Sequence, residues 1–528
     1  MYGLTLRAGS GNWLTKAWPK GSKTEYGSGR LANEKNSEAC LSVTASGRSG
    51  RKTMEKDMIA DILGYLDDNF QEDLGEVQKF MRLKSISATG EGIRETAEAV
   101  KDMIIRAGGT SELLETPGNP IVYGRMDEGA DYTLLIYSMY DVLPAEEEDW
   151  ISDPWMAKIH PFRDYGDCII GRGAVNTKGP TAAFFRALMA YRKLREKLPV
   201  NLVFLIEGEE ELSSESLQDF LEENKEKFAD CDAMFFPSFG EENRIASIFM
   251  GVKGIISFEL RAKGGTWGGP VDRGIHGAFA AWVANPAWRL VKALSTMIGE
   301  NENDIRIDGF YDGILPLDPE KEHALRESAD LLDEEEWRTA YDVDKFKWKL
   351  EGLELWKKML TVPTLNIDGI RGGYIGEGSK TLLPHEAAVK MDIRLVPGMD
   401  PKTMLGKLRR HLDSHGYEDI EIVEFGKAYY PSSVPYYSTS VQTLKRMYEM
   451  MGARPQIWPW NPGSAPYYLF ERILGIPYVT GGMGHGSRQH SSNEYCTVKG
   501  VLDFEKSMIY YLTLFPEIAD ELKTAAHD

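Results

Sequence analysis

Cysteine is scarce in this sequence, and basic residues are outnumbered. Only four of the 528 residues are cysteine (Cys40, Cys168, Cys231 and Cys496), and no two stand in a CxxC spacing. That spacing disfavours a thiolate zinc site or a disulfide framework, and leaves reduced thiols in a cytoplasm as the simplest reading. No stretch approaches the roughly 18 consecutive apolar residues of a membrane span, so no membrane role is expected. Acids exceed bases by 81 to 61, a net charge of −20, which argues against a nucleic-acid surface. What is present is ordinary globular composition, 42% hydrophobic and 27% charged, with length for two or three domains.

Residues 1–53 differ from the rest. They hold nine bases and three acids, a net +6, and are rich in Gly and Ser, so the remaining chain carries −26. No apolar core follows the first basic residues, which excludes a secretory signal. The expectation is a disordered leader or a start placed too early, with Met54 as the true start.

Beyond residue 53 no internal repeat or low-complexity tract occurs. Apolar residues recur at helical spacing from Met58 to Arg82 and from Thr96 to Ala107. The runs Tyr132–Ser138 and Asn201–Ile206 read as buried strands, with a helix over Thr181–Leu194 between them. This alternation predicts an α/β fold, a mixed and mostly parallel sheet covered by helices. From about Gly251 the character changes. Residues 302–356 are acidic and helical in pattern, Ala387–Val396 alternates as a strand, and Lys402–His415 repeats as a helix. A helix over Val441–Met451 and a strand near Ile476–Thr480 restore the first pattern. The expected organisation is a catalytic domain from 54–252 and 432–528, with an inserted α+β lid at 253–431.

Ligands in such sheets bind beyond the carboxyl ends of the strands. There the sequence places MYDVLP after the first strand and EGEEELSSE after the second. The strings LLIYSMYDVLP, ISDPW, IIGRGAVNTKGPTAAF, LIEGEEELSS, HGAFAAWVANPA, GEGSKTLLP, DIRLVPGMDP and QHSSNE occur in that order. Together they resemble the metallopeptidase family of carnosine dipeptidase, acetylornithine deacetylase and succinyl-diaminopimelate desuccinylase, from about Met54 to the C-terminus. The resemblance implies a zinc-exopeptidase-like domain with a two-metal centre, and an inserted lid that mediates a homodimer.

Carried over residue by residue, the resemblance shows a depleted metal set. Met139 stands where a His ligand belongs, and a thioether is a poor ligand for zinc. Asn176 replaces a bridging Asp, and Ser238 replaces a further Asp. Glu211 and His490 remain as ligands, with Asn176 a weak third, and His485 stands close enough in sequence to be recruited. Glu210 aligns with the general base, and Asp141 with the group that orients the missing His. From composition alone, Glu207, Glu209, Glu210 and Glu211 would be a solvated acidic turn. The substrate side is better kept: His276 aligns with the lid His that polarises the scissile carbonyl across the dimer. Arg394 aligns with a carboxylate clamp, Gly463 and Ser464 with its cradle, and Thr381 with a further lid contact.

The expected activity is therefore hydrolysis of a small amide with a free carboxylate, a dipeptide or N-acyl amino acid. One divalent metal would assist, zinc before manganese or cobalt. The alternatives are a metal-free acid–base enzyme (lyase, isomerase or amidohydrolase), in which Glu210 and Glu211 serve as paired carboxylates, or a non-catalytic binding homologue.

Overall fold

The computed structural model describes residues 48–525, apart from 147, 243–244, 302–303 and 342. By compactness the chain falls into two units, Met1–Lys56 and Asp57–Asp528. The expected leader lies outside the described residues up to residue 47, and helix Arg48–Met81 begins ahead of the periodicity that starts at Met58.

The larger unit contains two main sheets. In chain order their strands are β1 (Thr110–Leu114), β2 (Ile121–Met126), β3 (Thr133–Met139), β4 (Asn201–Glu207), β5 (Ala233–Pro237), β6 (Gly254–Lys263), β7 (Thr364–Gly372), β8 (Glu386–Leu395), β9 (Glu421–Tyr429) and β10 (Tyr478–Gly481). The first sheet runs β1-β2-β4-β3-β5-β10. Its last four strands are mutually parallel, and β1 and β2 close one edge in antiparallel fashion. β3 and β4 are near-continuous apolar runs because both of their faces are covered, and all of β3 is buried. Helix Lys178–Leu194 packs on helix Val498–Ala525, which also packs on Thr439–Met450. The parallel order therefore gathers the ends of β3, β4, β5 and β10 side by side, which is where the site lies.

The second sheet, β7-β8-β6-β9, is antiparallel throughout and has its own core of Phe258, Leu260, Val389 and Met391 under helices Pro286–Met297 and Pro401–Ser414. Asn285 and Asp400 cap those two helices, and each is followed by a proline whose missing N–H costs nothing in the first turn. The acidic stretch 302–356 is not one long helix. It is broken into Pro319–Glu327, Glu334–Tyr341 and Gly352–Thr361, with Pro319 and Gly352 at helix starts. Leu325, Trp356 and Leu360 from these pieces pack on Trp458 and Trp460.

Candidate active site

β4 ends at Glu207 and passes through Gly208 into a single tight turn, Glu210–Leu212. A Cβ on Gly208 would stand 2.3 Å from the Tyr140 ring, so only glycine lets this turn lie against the end of β3. The turn is no solvated acidic loop. Glu207 is buried and accepts from Ser214 Oγ at 2.9 Å and from Tyr137 Oη. Glu209 accepts from the backbone of Asn119 and Ser216 at 3.0 and 3.1 Å. Asp141 has no imidazole to orient. Its two oxygens accept the backbone N–H groups of Glu210 and Glu211 at 3.2 and 3.0 Å, so it holds the acidic turn in place.

On the opposite side, short strands Gly486–Ser487 and Tyr495–Thr497 pair and carry His490 on the loop between them. Glu494 fixes that loop to the Asn176 loop. Its carboxylate is buried and accepts the backbone N–H groups of Gly173, Val175 and Asn176 at 3.0–3.1 Å, together with Arg172 Nη1 at 3.0 Å. Asn176 and His490 are thus braced by one buried ion pair.

Met139, Asn176, Glu210, His490, Gly463 and Ser464 line one cavity of about 360 Å³. At its polar side, Asn176 Nδ2 lies 2.9 Å from Glu211 Oε1 and 3.2 Å from His490 Nε2, which in turn lies 3.2 Å from Glu211 Oε2. Donor atoms around a tetrahedral zinc with bonds of about 2.0–2.1 Å stand about 3.3–3.4 Å apart. Turning the Asn176 amide puts its oxygen at the same corner, so these three groups fit one divalent ion with a neutral third donor. They do not fit two. Met139 offers a buried thioether, and Ser238, whose N–H donates to Gly481 O, does not line the cavity. Among the described residues, no group of three or more His, Cys, Asp or Glu could hold a metal ion. His485 is not recruited either: Nδ1 is 3.0 Å from Glu241 O, and Nε2 is 3.0 Å from Tyr495 Oη.

Burial, reinforced by Glu211, Asp141 and Glu207, holds the Glu210 carboxyl well above the usual range. Burial also pushes Glu207 up to about 8 and Asp141 up to about 7. The hydrogen bond to Glu211 raises His490, favouring imidazolium in the pair as it stands.

Arg394 reaches the cavity lining from the second sheet through Ser464. Arg394, in β8, donates from Nη1 to Ser464 Oγ at 3.0 Å and from Nε to Asp392 at 3.2 Å. Gly463 donates its N–H to Asn461 Oδ1 at 2.7 Å. His276 and Thr381 lie apart from this group. Both are exposed, their side chains are 3.3 Å from each other, and neither lines the cavity.

This geometry can be set beside known proteins. The model of peptidase family M20/M25/M40 matches residues 135–515. The chain belongs to this family. A metallo-carboxypeptidase of the family from Sulfolobus solfataricus has a solved structure that superposes with a TM-score of 0.75 at 33% identity, covering 84% of this chain and 99% of that one. Human carnosine dipeptidase 1 superposes at 0.73 with 24% identity over 87% of this chain and 99% of that one. In sequence, the chain is 31% identical to human Beta-Ala-His dipeptidase over 53% of each protein, so this match spans about half of that relative. It is 28% identical to the Cys-Gly metallodipeptidase DUG1 of Candida albicans over 74% of this chain and 81% of that protein.

Within this family fold, the bracing pair Arg172–Glu494 is the feature that sequence reasoning missed. Both residues sit inside motifs already singled out, GRGAVN and QHSSNE. A Glu four residues after the candidate ligand His490, on the same short loop, was the available signal.

Proposed function

We propose that the protein hydrolyses small amides carrying a free carboxylate, either dipeptides or N-acyl amino acids, as its dipeptidase relatives are named for doing with dipeptides. The observation that carries this reading is the single cavity shared by Glu210, Asn176, His490 and Ser464, with Arg394 bonded to Ser464 behind it. Glu211, His490 and Asn176 would hold one divalent ion, zinc before manganese or cobalt, whose Lewis acidity would activate water and polarise the scissile carbonyl. Arg394 and Ser464 bind the substrate carboxylate, and Gly463 allows its close approach. Glu210 takes the proton of the attacking water and returns it to the leaving amine. The ionised carboxylate performs this step, and a divalent ion held beside it by Glu211 would offset the burial that otherwise raises Glu210.

His276 and Thr381 belong to a site completed by a second copy, in which His276 donates to the carbonyl oxygen. The support is an exposed apolar face around them (Phe279, Trp282, Trp288) and the exposed edge strand β7 with Ile367 and Ile370. In this reading 54–252 and 432–528 form the catalytic domain, and 253–431 the lid through which a homodimer forms. The free, buried Cys168, Cys231 and Cys496 suit a reducing cytoplasm. No helix of the described residues is long and apolar enough to cross a membrane.

A second reading, acid–base chemistry without a metal, is favoured by one observation: Glu211 and His490 stand within hydrogen-bond distance of each other, at 3.2 Å, beside Glu210. One experiment separates the two. Metal per protomer is measured on protein purified without chelator, and amino-acid release from dipeptides and N-acyl amino acids is followed before and after chelation. The expected result is about one equivalent of metal, with activity lost on chelation and restored by added zinc, manganese or cobalt. Turnover that survives exhaustive chelation sinks the metal-assisted reading in favour of the second.

A further inference from the structure

The cavity has a second wall, opposite in character to the triangle of donors. Met139 ends β3 with a buried side chain, and Phe236, near the end of β5, lines the same cavity together with Tyr467, Phe249 and Val252. These aromatics are locked together: the Phe236 and Tyr467 rings lie 5.8 Å apart, Phe236 and Tyr137 5.6 Å, and Tyr467 and Tyr478 5.2 Å. Two of the polar atoms that line the cavity are engaged elsewhere, Tyr478 Oη with Ser432 Oγ at 2.6 Å and Asn461 Oδ1 with Gly463 N. Glu210 is the one carboxylate on the cavity surface and is committed to the amide. A charged side chain laid against this thioether and these rings would shed water with no charge to meet it there, whereas an apolar one would gain by the area it buries.

We propose that Met139 and Phe236 form a subsite for an apolar side chain on the acyl half of the substrate, built where a two-metal centre would have had a ligand. This rests on the hydrolase reading above, which places the substrate carboxylate at Arg394 and Ser464 and the amide at Glu210. The Met139 thioether adapts its shape to aliphatic and aromatic groups alike, while Phe236, held between the tilted rings of Tyr137 and Tyr467, sets the depth. A cavity of about 360 Å³ is at the small end of ligand sites and suits a dipeptide-sized molecule.

The test is equilibrium binding by calorimetry to the full chain carrying Glu210→Gln, which keeps ligands intact, with Xaa-Gly dipeptides in which Xaa is Ala, Leu, Phe, Asp or Lys. Leu-Gly and Phe-Gly should bind about tenfold or more tighter than Asp-Gly and Lys-Gly. Adding Met139→Gln should remove most of that preference and leave Ala-Gly unchanged. Phe236→Leu, which keeps the wall apolar, should weaken Phe-Gly more than Leu-Gly and covers the case in which Met139→Gln fails to fold. Equal affinity across the series, or a preference unmoved by both variants, overturns the subsite. If no member binds, the hydrolase reading and the subsite fall together. Graded binding that follows Met139 and Phe236, with no turnover by the native chain, keeps the subsite and removes hydrolysis alone.

Discussion

A thioether, Met139, and an imidazole, His490, line the same cavity, and their surroundings differ as much as they do. Behind His490 and Asn176 stands a buried guanidinium–carboxylate pair, Arg172 with Glu494, that also holds three backbone N–H groups. Behind Met139 stand aromatic rings, and Asp141 is turned to the backbone of the acidic turn. A polar ligand keeps its place where buried partners hold it. Where the partner has taken other work, the position is open to an apolar side chain.

The largest effect that would sharpen this contrast is at Glu210, which sits between the two walls. Glu210→Gln should lower kcat by about 10²–10⁴-fold while KM stays within a few-fold, measured as amino-acid release from a dipeptide the native chain cleaves. A variant that retained most of kcat would break the assignment of proton transfer to this side chain.

The bracing pair comes next. Glu494→Ala leaves the Arg172 guanidinium buried without its carboxylate, and the loss of a partner from such a pair costs about 3–5 kcal/mol. The denaturant midpoint should fall accordingly, and metal retention should fall with it because the Asn176 and His490 loops share this anchor. If Glu494→Ala unfolds at the native midpoint, the pair is not what holds the retained side in place.

A third substitution tests the depletion of the donor set directly. Asn176→Asp puts a carboxylate at the corner now held by a neutral amide, and should tighten metal affinity by about tenfold, the equivalent of about 1.4 kcal/mol. It should not add a second equivalent. That requires Met139→His and Ser238→Asp as well, because Asn176 alone cannot supply the other ligands. Two equivalents bound by the native chain would overturn the contrast between the two walls.

Much of this was legible in the sequence, for identifiable reasons. β3 and β4 stood out because a strand covered on both faces is a continuous apolar run; their ends pointed to MYDVLP and EGEEELSSE, and the family resemblance singled out Met139, Glu210 and Glu211 within those segments. Asn176 and His490 were visible through the motifs around them. The stretch 302–356 is helical in pattern, but that pattern does not mark the breaks between Pro319–Glu327, Glu334–Tyr341 and Gly352–Thr361, the last of which packs Trp356 on Trp458. What stayed hidden depends on contacts between residues distant in sequence: Arg172 with Glu494, Asp141 with the turn after β4, and Phe236 with Tyr467. Periodicity carries no trace of such partners.

Glu505 offers the smallest effect and the cleanest control for the bracing argument, because it is another buried glutamate, on the C-terminal helix, with the opposite surroundings. Glu494 has four donors, whereas among the described residues neither Glu505 oxygen has a hydrogen-bond partner. Burial, and to a lesser degree the nearby Asp73, raises the Glu505 carboxyl well above the usual range, while Arg186, bonded to Asp73, opposes the shift. In the unfolded chain Glu505 loses its proton in the ordinary carboxylate range; in the folded chain it keeps it to higher pH. The folded state therefore binds more protons across that interval. The stability from the neutral carboxyl is complete below the unfolded value and declines as pH rises toward the folded one. Glu505→Gln, which keeps the shape without the charge, should leave stability nearly unchanged below the ordinary carboxylate range and should reduce the loss of stability as pH rises above it. Denaturant titrations at several pH values measure this slope. An unchanged slope in the variant would mean that Glu505 has a partner in solution after all, and that isolation of a buried carboxylate does not distinguish it from the braced Glu494.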